Sequence, residues 1–156
     1  MSDPLERLQA YAINHALHLE SKLGYGKDGT VFLSSAHTAV KVFVSQIPFD
    51  RELACYLRLH ELEIDEIAGL AVPKMIEFDD TLLVIEMSIV RPPYILDFAS
   101  AHLDYPPDFP QDVLDIWEQD RLEEFGSNWS RVKIILQIFE SHGIYLTDIH
   151  PRNIAF

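Results

Sequence analysis

The chain has 156 residues, 48% of them hydrophobic and 24% charged, with a formal net charge of −13 from 25 acidic and 12 basic side chains. This suits one folded unit or two small lobes, and the negative charge argues against nucleic acid and anionic membrane surfaces as partners. A single cysteine, Cys55, excludes an internal disulfide, and the first residues lack the basic-then-apolar pattern of a signal segment, so a cytoplasmic protein is expected.

Asp3-Pro4 followed by Glu6 reads as a helix start, with a capping side chain, proline in the first turn and an acid near the positive dipole end. Leu5, Leu8, Ala12, Ala16 and Leu19 continue at helical spacing to about Glu20. Residues 21–44 change period: two strand-like runs flank the glycine-punctuated stretch from Lys22 to Val31, and the second, Thr38 to Val44, is rich in β-branched residues. Pro48 to His60 predicts a helix carrying Glu52. Lys74 to Phe78 and Leu82 to Met87 predict a hairpin turning at Asp79-Asp80, and Arg91-Pro92-Pro93 reads as a linker. Helices are expected over Tyr94 to Leu103, Asp112 to Phe125 and Ser130 to Ser141, the last ending at Gly143.

Three constellations carry chemistry. Gly24-x-Gly26-x-x-Gly29-x-Val31 supplies glycines where a backbone must approach phosphates; the same pattern also marks dinucleotide folds and plain hairpin turns. Strand-like residues after Gly29 favour a hairpin over phosphates. Lys41, in Ala39-Val40-Lys41-Val42, is a cation among apolar strand residues; it needs a counter-charge, which Glu52 can provide, or an exposed edge. Asp148-Ile-His-Pro-Arg-Asn153 spaces an aspartate and an asparagine five apart, which alone also fits an Asx turn.

In this order, and together with Leu82–Met87, the three motifs resemble the protein-kinase-like superfamily over roughly residues 20–156. The resemblance implies an α+β fold: a small antiparallel β N-lobe with one inserted helix (the αC type), then a reduced helical C-lobe. Segments 1–20, 21–90 and 91–156 are the expected N-terminal helix, N-lobe and C-lobe. It also implies ATP and Mg²⁺. Gly24, Gly26 and Gly29 would cover the phosphates, with Lys41 on the α- and β-phosphates and Glu52 holding it. Val31 and Ala39 would sandwich the adenine, and backbone groups at Glu86 and Met87 would meet its edge. Asp148 would take the acceptor proton and Asn153 would ligate the metal.

Leu146-Thr147 stand where protein kinases have His-Arg, and His150 gives the D-x-H-P-x-N form similar to aminoglycoside- and choline-kinase-like enzymes. The family's metal-binding Asp-Phe-Gly segment is expected after Asn153, yet the sequence ends at Phe156. A truncated site lacking one metal anchor is therefore expected. Two functions follow: an atypical phosphotransferase acting on a hydroxyl, or a truncated pseudokinase serving as a protein-binding module. Segment 104–124 holds eight acids against Arg121, a solvated face or a docking site for a basic or protein partner.

Overall fold

The computed structural model describes residues 2–156. Helix α1 (Pro4–Asn14) leads into a five-stranded antiparallel sheet of β1 (Leu19–Tyr25), β2 (Gly29–Ser34), β3 (Thr38–Phe43), β7 (Val84–Ser88) and β6 (Met75–Asp79), in that spatial order. Helix α2 (Gln46–Glu61) is inserted between β3 and the short strands β4 (Glu66–Ile67) and β5 (Leu70–Ala71). After the sheet come β8 (Tyr94–Ile95), β9 (His102–Leu103), α3 (Gln111–Phe125), α4 (Trp129–Ser141), β10 (Ile144–Tyr145) and β11 (Ile154–Ala155). The expected α+β class, with a small antiparallel β-lobe, one inserted helix and a helical remainder, is present.

Alternation along β3 divides two cores. Val40 and Val42 face α1, where with Val84 they bury Leu8 and Tyr11. Ala39 and Phe43 face the larger core with Ile85 and Met87. Helix α1 starts as the sequence predicts: the Asp3 carboxylate accepts from the Leu5 N–H at 2.7 Å, with Pro4 following. Its burial of Leu8 contributes about 1.5–3 kcal/mol. Arg7 is also buried and donates to the carbonyls of Phe43 (2.7 Å) and Leu82 (2.8 Å), which fastens α1 across the back of the sheet. The helix stops at Asn14 rather than Glu20. Ala16 adopts a left-handed φ of 53°, and Leu19 pairs with Ser34 as the first residue of β1.

The expected helix over Tyr94–Leu103 does not form. Ile95, Phe98 and Ala99 are buried at spacings that imitate a helix face, but strand pairing and a turn bury them instead. Tyr94 and Ile95 pair antiparallel with Ala155 and Ile154, and Tyr94 pairs in parallel with Ala71. The Leu96 N–H donates to the Asn153 carbonyl at 2.9 Å, which extends this contact. Phe98 is fully buried between Tyr56 of α2 (5.4 Å between ring centroids) and Phe139 of α4 (5.9 Å), so one ring joins the inserted helix to the helix before the 148–153 loop. No helix among the described residues is long and apolar enough to cross a membrane.

Candidate functional site

The β1–β2 hairpin carries the glycines. The Gly26 N–H donates to the Gly29 carbonyl at 2.9 Å and closes the turn. A Cβ on Gly29 would run into the Val42 carbonyl oxygen, so the close approach of β2 to β3 requires glycine there. A Cβ on Gly24 or Gly26 would meet nothing, leaving open space around this part of the loop. Val31 is half-buried and lies opposite Lys41 in the ladder; Ala39 is buried opposite Met87.

Lys41 points from β3 into the larger core. Its ammonium donates to Glu52 Oε2 at 2.6 Å and to Asp97 Oδ1 at 3.3 Å. Burial alone would lower the pKa of Lys41, but the Glu52 and Asp97 carboxylates outweigh it and hold the pKa above its usual value. Two acids against one cation leave the trio with a surplus negative charge. The more deeply buried acid absorbs the strain. Burial pushes Glu52 up to about 7, the Lys41 ammonium pulls it down, and Asp97 adds to the rise.

Asp97 also faces the 148–153 loop. Asn153, itself buried, brings its side-chain amide to 3.5 Å from Asp97 Oδ2 and donates to the Asp148 carbonyl at 3.2 Å. His150 Nε2 lies 3.1 Å from the same amide nitrogen and 3.6 Å from Asp148 Oδ1. The Asp148 side chain keeps 31% of its surface exposed. Asp97 has a left-handed φ of 71°, a conformation uncommon outside glycine that aspartate tolerates better than most residues.

An Asp97 carboxylate and an Asn153 amide this close are hard donors of the kind Mg²⁺ takes, with phosphate oxygens and water completing its shell. The amide must present its oxygen to serve, which a half-turn of the side chain achieves. Among the described residues no three His, Cys, Asp or Glu side chains form a metal cluster on their own. His15 stacks on Tyr11.

No protein-family model matches the chain, and no curated protein matches it. Among solved structures it is similar to the streptomycin–ATP–APH(2″)-IIa ternary complex, at 20% identity and a TM-score of 0.42 over 58% of this chain and 30% of that one. It is also similar to ADP-bound aminoglycoside phosphotransferase APH(2″)-Ib, at 22% identity and a TM-score of 0.43 over 58% of this chain and 29% of that one. The chain thus spans about 30% of the length of these two structures.

The structure brings Lys41, Glu52 and Asn153 around one carboxylate that the sequence reading missed, Asp97. Glu86 is turned the other way. Its carboxylate accepts from Tyr11 (2.9 Å) and Thr38 (2.6 Å) on the α1 face, while Met87 faces the larger core and its sulfur accepts from the Tyr56 hydroxyl at 3.2 Å. The acids of α3 are exposed, with Trp117 and Arg121 half-buried between them. Two clefts flank α2, one lined by Tyr56, Leu59, His60 and Lys74 and the other by Asp50, Arg51, Ala101 and His102; neither is lined by Lys41, Asp97 or Asn153.

Proposed function

We propose that the chain binds ATP with Mg²⁺ and moves the γ-phosphoryl group to a hydroxyl acceptor. The observation that carries this reading is the position of Asp97, within reach of both Lys41 and Asn153. Asp97-Phe98-Ala99 has the form of the family's metal-binding Asp-Phe-Gly segment, and β8 beside β11 aligns it with the asparagine of the 148–153 loop. In protein kinases that segment follows the catalytic loop; here Asp97 precedes the loop in sequence, and the pairing of β8 with β11 brings the two together.

Gly24, Gly26 and Gly29 then cover the phosphates, Val31 and Ala39 bracket the base, and the backbone around Glu86 and Met87 meets its edge. Lys41, fixed by Glu52, holds the α- and β-phosphates. Asp97 and Asn153 would hold Mg²⁺, which neutralises charge on the phosphates when bound. The acceptor oxygen forms a bond to the γ-phosphorus as the bond to the bridging β–γ oxygen breaks. The bond pair leaves with ADP, and Asp148 takes the acceptor's proton. Asp148 suits that part because its carboxylate is partly open to solvent. The binding-module alternative drew on a missing second metal anchor. With Asp97 assigned to that anchor, its main ground is gone.

Thermal unfolding with ATP, ADP and GTP, each with and without Mg²⁺, tests the reading. A ligand at about 100 times its Kd stabilises the native state by about 2.7 kcal/mol, a readily measured shift. A Mg²⁺-dependent ATP shift is expected in the native chain and its loss in Asp97→Asn. Absence of a shift with every nucleotide refutes the reading.

A further inference from the structure

We propose that Trp117 and Arg121 of α3 are positioning residues that aim Asp148, an inference that rests on the phosphotransferase reading above. Three successive carbonyl oxygens run through this part of the loop, and each accepts a side-chain hydrogen bond. Thr147 accepts from Trp117 Nε1 at 3.3 Å, Asp148 from Asn153 Nδ2 at 3.2 Å, and Ile149 from Arg121 Nη1 at 2.7 Å. The backbone is therefore held on both sides of Asp148 and at Asp148 itself. The Thr147 hydroxyl donates to the Ser100 carbonyl at 3.0 Å, which ties the same stretch to the segment that begins at Asp97.

Trp117 and Arg121 stand four residues apart, so they share one face of α3. Each is itself braced. Trp117 packs edge-on against Trp129 at 5.8 Å, and Arg121 lies over the Trp117 ring at 5.8 Å with Nη2 on Glu124 at 3.1 Å. The positions immediately before Asp148 are Leu146 and Thr147, neither of them cationic, and the guanidinium that bonds the Ile149 carbonyl is brought from α3 by Arg121. Phe125 is the one buried side chain of α3, and most of that helix is exposed. A helix so lightly buried whose polar inward side chains end on the carbonyls flanking one aspartate acts as a clamp on that aspartate.

A bland alternative is that the two side chains merely dock α3. The full chain separates these possibilities through two readouts. The first is hydrolysis of ATP with Mg²⁺, where water serves as acceptor, alongside the ATP affinity from thermal shifts. Displacing a reacting group by about 1 Å costs up to about 100-fold in rate. Arg121→Gln is therefore expected to lower turnover about 10- to 100-fold with affinity within about twofold, and Arg121→Lys to recover part of the loss. Trp117→Phe keeps a ring and removes only the N–H donor, so it provides a second variant if Arg121→Gln fails to fold. The second readout needs no nucleotide: ¹⁵N relaxation dispersion at residues 147–150. Exchange confined to those amides is expected in either variant and not in the native chain. If turnover, affinity and melting temperature fall together without local exchange, the two residues only dock the helix and the proposal is overturned. If the loop loosens but the native chain neither binds nor hydrolyses ATP, the phosphotransferase reading falls while the clamp on the loop stands.

Discussion

Replacing Lys41 with methionine takes away the ammonium that faces two acids while keeping most of the side chain's length, so little cavity is created. Glu52, 1% exposed, is then left in the core without its 2.6 Å partner. Removing one member of a buried ion pair costs about 3–5 kcal/mol. Glu52 relieves part of that by binding a proton. Its pKa is already about 7 with Lys41 present and rises further once the cation's downward pull is gone. A carboxyl whose folded pKa lies above its unfolded one keeps its contribution below the unfolded value and loses it as the pH rises through the folded value. The penalty should therefore be near the full ~3–5 kcal/mol at pH 8 and less than about half of that at pH 5. Asp97, 28% exposed, remains partly served by solvent and adds less. Urea unfolding followed by circular dichroism at both pH values measures the difference. Adding Glu52→Leu removes the stranded acid and should recover most of the loss at pH 8. An equal penalty at both pH values, or one below about 1 kcal/mol at pH 8, would refute the account of the trio's electrostatics.

Phe98→Ala should destabilise by about 3–5 kcal/mol, because the ring is fully buried between Tyr56 and Phe139; Phe98→Leu should cost less than half as much in the same urea assay. Gly29→Ala should cost about 1–3 kcal/mol, since its Cβ would meet the Val42 carbonyl, whereas Gly26→Ala should change stability by less than about 0.5 kcal/mol. Parallel thermal scans of the two glycine variants check that contrast.

The β-lobe was legible because each signal was local. Lys41 sits alone among β-branched neighbours, and Glu52 lies on the next helix, 11 residues on. Helices α2, α3 and α4 were found within two residues of their ends, as expected where apolar spacing is sustained over three turns. Residues 94–103 misled because burial at Ile95, Phe98 and Ala99 has a helix's spacing but not its cause. What decides that segment is pairing with Ile154 and Ala155, a contact no local pattern encodes. Asp97 was missed for a related reason. Asp97 lies between apolar residues, Leu96 and Phe98, in a segment whose spacing suggested a helix. The roles of Trp117 and Arg121 rest on hydrogen bonds to backbone carbonyls, which side-chain spacing alone does not disclose.

The pairing of β8 with β11 also bears on how the site comes into being. Asp97 is 56 residues from Lys41 in one direction and 56 from Asn153 in the other. Each span is a separate loop to close. By the logarithmic scaling of loop entropy, halving either span would save only about 0.6 kcal/mol in equilibrium stability. Its effect on timing is larger, because contacts this distant in sequence form late and slow the search. A chain emerging from its N-terminus can join Lys41 to Glu52, and then to Asp97, before Asn153 exists. The asparagine and its loop arrive later, at a carboxylate already held in place. The contact of Asp97 with Asn153 therefore forms after its contact with Lys41, and a partly made chain has the lysine's counter-charges without the asparagine.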